Sequence, residues 1–318
     1  MAEKSRERLT REEIGYIRRK KAAQTIYSIF RFIILFGLGF VIMYPLIYMV
    51  SCAFRESGDM SDPTVMWIPR RFTFDVMRET LNAMGFPQTL ITTLFLNVGC
   101  ALVQVASCAV TGYGFARFKF RGQKLLFGIV IMMILVPPQV IALPLYSQFR
   151  YFGIGEFTVN LIDTPLTMYL PALTANGIRA GLMVLIFRQF FKGLPKELED
   201  AAYIDGCGPF RTFVQVMVPN ASAAFLTVFL FSVVWYWNDY YVSASFFTDT
   251  RTISLMLRNL DTELKRRLFD TVSAEISPRE QIVWKEAGCL ISITPLLIVY
   301  VFLQKHFIEG IERSGIVG

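Results

Sequence analysis

Six stretches of this chain are too apolar and too free of charge to fold in water. Phe32–Phe54, Gln88–Ala116 and Leu125–Phe149 run for 23, 29 and 25 residues without a charged side chain, each beyond the ~20 residues a helix needs to cross a bilayer. Asn220–Asn238 and Ala287–Gln304 add runs of 19 and 18, and Pro165–Phe191 is interrupted only by Arg179 and Arg188. Inside a bilayer the backbone has no water to bond, so such runs must close their own hydrogen bonds as helices. Composition agrees, with 18% charged residues against about a quarter in a soluble domain. The expectation is an all-α integral membrane protein with six transmembrane helices at 32–54, 88–116, 125–149, 165–191, 220–238 and 287–305.

Charge between the runs sets the orientation, because short loops rich in Lys and Arg stay cytoplasmic. Residues 1–31 hold nine Lys/Arg against four Glu, the loop RFKFRGQK has four basic residues and no acid, and Arg188–Pro219 has four. Arg55–Pro87 balances four basic with five acidic residues, and Tyr151–Asp163 has two acids and no base. Both termini are therefore expected inside. The long loop Asp239–Lys285 carries seven basic residues, but long loops cross largely regardless of charge. The N-terminal 1–31 segment has Thr10 and Glu13 at capping-box spacing. It reads as an amphipathic helix on the anionic inner leaflet or as a solvated tail. The first run is longer than the 7–15-residue core of a signal peptide, so it reads as a retained span.

The chemistry-bearing residues are few. Five scattered cysteines and a single histidine, His306, support no disulfide framework, zinc site or histidine-based catalysis. No G-x-x-x-x-G-K-[ST] loop occurs, so the chain cannot itself cradle ATP phosphates. No metal site, catalytic set or nucleic-acid partner is expected.

One segment interrupts the apolar pattern. KELEDAAYIDGCGPFRTFVQVMVPN (Lys196–Asn220) opens with acids, which complement the positive end of a helix. Pro195 suits the first helical position. Ala201 and Ala202 give a flat surface, Gly206 can take the left-handed conformation that ends a helix, and Pro209 restarts one. Pro219 marks entry into the next span. The result is a short helix, a turn and a second short helix on the cytosolic side. It is too small to bury a core alone, so it must lean on its own membrane helices or on a partner.

That spacing, Asp200-Ala201-Ala202, three residues, Gly206, nine residues and then VMVP, resembles the EAA loop of ABC-transporter membrane subunits. Asp200, Val216 and Val218 stand where that pattern has Glu, Ile and Leu. WIPRRFTFDVM (67–77), YGFARFKFRGQKLL (113–126), VPPQVIALPLY (136–146), FRQFFKGLPKELEDAAYIDG (187–206), WYWNDYY (235–241) and EGIERSGIVG (309–318) are similar to carbohydrate permeases of the maltose-transporter type, in the same order. The resemblance implies a type I ABC importer permease fold. It implies a coupling loop over 192–219, with Glu199, Asp200, Ala201, Ala202, Asp205, Gly206, Pro209 and Pro219 at the ATPase contact. Asp200 would reach a basic residue of the ATPase, Gly206 would set the turn, and the 309–318 tail would run along the same interface through Ser314–Gly318. The implied partners are a second homologous permease subunit, a cytoplasmic ABC ATPase dimer holding ATP and Mg, an extracytoplasmic solute-binding protein and the lipid bilayer of a bacterial cytoplasmic membrane. Sugar or oligosaccharide import is the implied function, with a non-sugar solute such as glycerol phosphate as the alternative.

Substrate contacts are less determined. Arg179 lies nine residues before Arg188, about 13 Å along a helix, which would bring it near mid-bilayer, where charges face a bundle interior or a wet cavity. With Asn176 it either lines a translocation path or is a structural arginine. Trp235, Trp237, Asn238 and Tyr240 mark the outer end of the fifth span, as an aromatic belt or as a stacking surface for a sugar. Trp235 and Asn238 are the path candidates there. Asn97, Gln104 and Gln139 read as hydrogen-bonding contacts between helices. Leu257, Leu260, Leu264 and Leu268 recur at helical spacing, for a surface helix that touches an external binding protein or covers the subunit. A secondary transporter would need ionisable pairs in the spans, and an intramembrane enzyme an Asp, His or Ser constellation; apart from Arg179 the spans supply neither.

Overall fold

A computed structural model of the chain describes residues 11–269 and 275–315. Thr10 of the expected capping box and the last three residues of the tail lie outside the described residues. Helix α1 (Arg11–Ala53) runs unbroken for 43 residues, about 64 Å at 1.5 Å per residue. The basic N-terminal segment therefore continues the first span as one helix instead of turning along a surface. A loop and short α2 (Asp75–Ala83) lead to α3 (Phe86–Arg117), which starts after Gly85 in the left-handed conformation at φ +55°. The run 125–149 forms two helices, α4 (Gln123–Leu135) and α5 (Pro138–Arg150), bent by 106°. The cause is the pair Pro137–Pro138: neither donates an N–H, and the residue before a proline is driven to extended backbone, as Val136 is at ψ 119°. A small antiparallel hairpin follows, β1 (Phe152–Ile154) with β2 (Phe157–Val159), pairing Phe152 with Val159.

The expected fourth span is likewise not one helix. α6 (Leu166–Leu173) ends, residues 174–179 leave the helical path, and α7 (Ala180–Gly193) resumes. Next come α8 (Glu197–Ile204), α9 (Pro209–Thr212), a π-helical turn at Phe213–Met217 and α10 (Val218–Asn220). α11 (Ser222–Trp237) leaves at 81° to the preceding segment. The long loop is filled by α12 (Tyr241–Phe246), α13 (Ile253–Arg258) and α14 (Leu260–Phe269), before α15 (Pro278–Gly315) closes the chain. Among the described residues three helices are long and apolar enough to cross a membrane, or up to five if each bent pair counts as one span.

α3 is the central post. It packs along α7, α11 and α6, and its approach to α7 is close enough that a Cβ on Gly112 would sit 2.6 Å from Phe187 Cβ. One apolar cluster joins α3, α7 and the segment before α11 through Cys108, Tyr113, Met183, Phe187, Phe191, Phe213 and Met217. A second joins α1, α2, α13, α14 and α15 through Cys52, Val76, Met256, Leu260, Leu264 and Trp284. Leu260 and Leu264 are fully buried, Leu257 is half-buried and Leu268 is exposed. Within this chain, that helical leucine pattern covers the subunit.

Candidate functional site

The segment between α7 and α11 is built as a helix, a glycine turn and a second helix. α8 begins at Glu197 with Lys196 as its cap, so Pro195 stands just outside the helix and not at its first position. The helix ends in a Schellman arrangement: Gly206 takes φ +81°, its N–H donates to Tyr203 O at 3.0 Å, and Cys207 N–H donates to Ala202 O at 2.9 Å. Pro209 then opens α9 as its first residue, behind an extended Gly208. Pro219 lies within α10, two residues before the bend at Ala221.

Successive positions on a helix point about 100° apart, and here this separates two neighbouring acids. Glu199 and Ala202 are buried, whereas Asp200, Ala201, Asp205, Gly206 and Pro209 are exposed. Around those exposed positions lie Ile204 and Phe210, 86% and 77% exposed, with Tyr203 and Arg211 beside them. The outward face thus offers two acids and three large apolar side chains together.

Glu199 turns the other way and meets the C-terminal end of α3. Tyr113 donates its hydroxyl to Glu199 Oε1 at 2.7 Å, and Arg117 Nε lies 3.3 Å from Glu199 Oε2. Both charged side chains are nearly sealed from solvent, at 7% and 10% exposure. Arg117 also donates through Nη2 to Leu194 O at 2.7 Å, clamping the link between α7 and α8. Phe191, Phe213 and Phe118 pack around the Tyr113 ring at centroid distances of 5.5, 4.9 and 5.6 Å. The pair is thereby held in a low-dielectric setting, where an ion pair is screened little.

The path candidates fall into two places. Asn176 and Arg179 sit exposed in the break between α6 and α7, with Arg179 left-handed at φ +56° as the cap of α7. Arg179 is thus at the edge of a non-helical break and not inside a continuous span. Side chains of α3 satisfy carbonyls around this break: Gln104 Nε2 donates to Ile178 O at 2.8 Å and Ser107 Oγ to Ala172 O at 2.6 Å. A Cβ at Gly177 would crowd Gln104 Oε1 and the Tyr236 hydroxyl, so these two side chains would have to shift. At the end of α11, Trp235 is half-buried and stacked on Phe231, and Asn238 is exposed with Nδ2 donating to Val234 O. Trp237 is not a belt residue: it is 5% exposed and donates Nε1–H to Ser292 O at 3.0 Å. Gln104 joins helices as expected and Gln139 is exposed at the start of α5. Among the described residues no His, Cys, Asp or Glu cluster could hold a metal.

Residues 109–313 match the family described as the binding-protein-dependent transport system inner membrane component. The chain belongs to this family. The match covers α7, the helix–turn–helix segment and α11, the part of the chain in which the two acids diverge. Among relatives of this inner membrane component, Protein LplC of Bacillus subtilis is 26% identical over 310 residues, covering 96% of this chain and 99% of that protein. The arabinooligosaccharides transport system permease protein AraQ of Halalkalibacterium halodurans is 25% identical over 288 residues, covering 88% and 93%. The fold is shared with a bacterial ABC transporter involved in the import of the acidic polysaccharide alginate, at a TM-score of 0.71 and 20% identity, covering 90% of this chain and 98% of that one.

Sequence reasoning placed Glu199 with the outward acids of this family member, because an acidic cluster at a helix start reads as one feature. The signal that separates them was present: Tyr113 and Arg117 are four residues apart, one helical face, at the end of an otherwise uncharged run. A tyrosine and an arginine on one face there offer two donors to a single acceptor.

Proposed function

We propose that this inner membrane component is the gating subunit of an ATP-driven sugar or oligosaccharide importer, with the 192–219 segment as its coupling loop on the cytoplasmic side. The observation that carries the reading is the outward face of α8 and α9. Asp200, Tyr203, Ile204, Asp205 and Phe210 are exposed together at the tip of a turn that its own chain leaves uncovered. An exposed apolar patch rimmed by charge is the signature of a docking surface, and the cleft of a cytoplasmic ATPase is the occupant that the family's transport function calls for. Asp200 makes the charged contact and Gly206 holds the turn. ATP and Mg reside on the ATPase, a second permease subunit completes the pathway across six spans, and a solute-binding protein delivers cargo from outside. The sugar reading draws on the arabinooligosaccharide and alginate systems among the similar proteins. Asn176 and Arg179, in the helix break, line the path and donate to cargo hydroxyls or a carboxylate.

The test is co-expression with a candidate ATPase and partner permease, followed by purification and ATPase assay. Asp200→Lys is expected to insert normally while losing ATPase association by about tenfold or more, the range for reversing a charge in a docked contact. Unchanged association would remove the segment from the interface. Uptake by an Arg179→Leu variant at the wild-type rate would remove Arg179 from the path.

A further inference from the structure

We infer that Glu199, Arg117 and Tyr113 form a positioning latch that makes the coupling helix α8 and the C-terminal end of α3 a single moving body. This rests on the coupling role proposed above and assigns the route by which displacement leaves the segment.

Three routes lead from α8 into the membrane helices. The covalent route forward to α11 passes a π-helical turn at Phe213–Met217 and an 81° bend at Ala221, features at which helices yield. The covalent route back to α7 crosses the short link Leu194–Lys196. The third is the side-chain route to α3: the Arg117 guanidinium, with Nε 3.3 Å from Glu199 Oε2 but not hydrogen-bonded, and the 2.7 Å hydrogen bond from Tyr113 converge on one carboxylate, nearly sealed from water. Arg117 stiffens the second route as well, because the guanidinium that faces Glu199 also holds Leu194 O. Beyond the latch the load passes directly to α7, since Gly112, next to Tyr113, lets α3 and α7 touch backbone to side chain. Motion at α8 therefore reaches α3 and α7 together, and α11 follows across its bend. Glu199 and Asp200 divide the labour: the second acid meets the ATPase, and the first transmits what the ATPase does.

Glu199→Gln tests this, because it keeps an acceptor for Tyr113 while removing the charge that faces Arg117. Spin labels on Glu197→Cys in α8 and Val110→Cys in α3, both exposed positions flanking the latch, report its rigidity in the purified complex with the ATPase and second permease. Half-exposed Cys207 and Cys289 are replaced by Ser. With the latch intact, the label distance is expected to be the same, and narrowly distributed, without nucleotide and with ATP–vanadate. With Glu199→Gln it is expected to broaden and to differ between the two states. A distance that changes with nucleotide although Glu199 is present, or one that Glu199→Gln leaves unaltered, overturns the latch. Should Glu199→Gln fail to assemble, Tyr113→Phe removes only the hydroxyl and is expected to broaden the distance in the same direction; no broadening there overturns the inference. Failure of the chain with Glu199 and Asp200 intact to assemble with the ATPase is a different result, and it is the coupling role that then falls.

Discussion

Tyr236 and Trp237 are neighbours whose polar tips reach different helices. The Tyr236 hydroxyl donates to Gln104 Oε1 at 2.6 Å on α3, and Trp237 donates to Ser292 O on α15. Position at the end of the fifth span reads Trp237 as part of an aromatic belt or a stacking surface for a sugar, but which ring faces the bundle depends on helix phase, and an uncharged run carries no phase signal. Tyr236→Phe leaves Gln104 Oε1 buried without its donor. The expected loss is about 1–3 kcal/mol, read as a lowered thermal midpoint in detergent, with no loss of insertion. Asp163, at φ +63°, was equally silent in the sequence. Its carboxylate accepts from the backbone N–H of Thr248, Asp249 and Thr250, tying the loop before α6 to the loop after α12. Burial pushes this carboxyl up, but the N–H groups from Thr250, Asp249 and Thr248 outweigh it and hold it below the usual carboxylate value. A depressed folded pKa contributes stability above the unfolded value of about 3.9, and that contribution is lost as pH falls through the folded pKa. The tie is therefore expected to weaken only below about pH 4, seen as faster proteolysis of the 246–252 loop in acid. Asp163→Asn tolerates the left-handed backbone and is expected to remove the acid dependence.

Among elements, the α8–α9 pair was the most legible. Gly206 as the left-handed end and Pro209 as the restart were both readable, because glycine takes positive φ at little cost and proline is favoured at a helix's first position. Pro195 falls one residue before the cap of α8, a boundary shift that residue type alone does not fix. At Gly206 nothing lies within 4 Å of an added Cβ, so substitution there costs backbone strain and not collision. Asn, Ala and Val at position 206 are expected to destabilise the turn in that rising order, with Val at about 1–2 kcal/mol, measured as hydrogen exchange of the 203–208 amides. The bend at Pro137–Pro138 and the break at 174–179 were hidden by the criterion that found the spans, since counting uncharged residues cannot see where a helix stops. The turn-forming Asn176–Gly177 pair was the available clue.

At the scale of the molecule, the apolar runs identified the solvent correctly while overstating the continuity of the helices within it. The most apolar window of α1 buries none of its residues against the rest of the chain, and large side chains such as Phe32, Phe36, Ile42 and Leu102 are exposed. In water that surface would aggregate; in a bilayer, or against a second subunit, it is ordinary. The inward and outward acids on α8 have one more consequence, concerning what this chain can tolerate as it diverges. Because Glu199 and Asp200 differ by one helical step, many replacements along the outward face preserve the arrangement. A single insertion or deletion between Leu194 and Glu199 turns the helix by about 100°, moving Glu199 off Arg117 and Asp200 off its outward bearing in one event. The segment is free to drift in composition, but its length is fixed by phase.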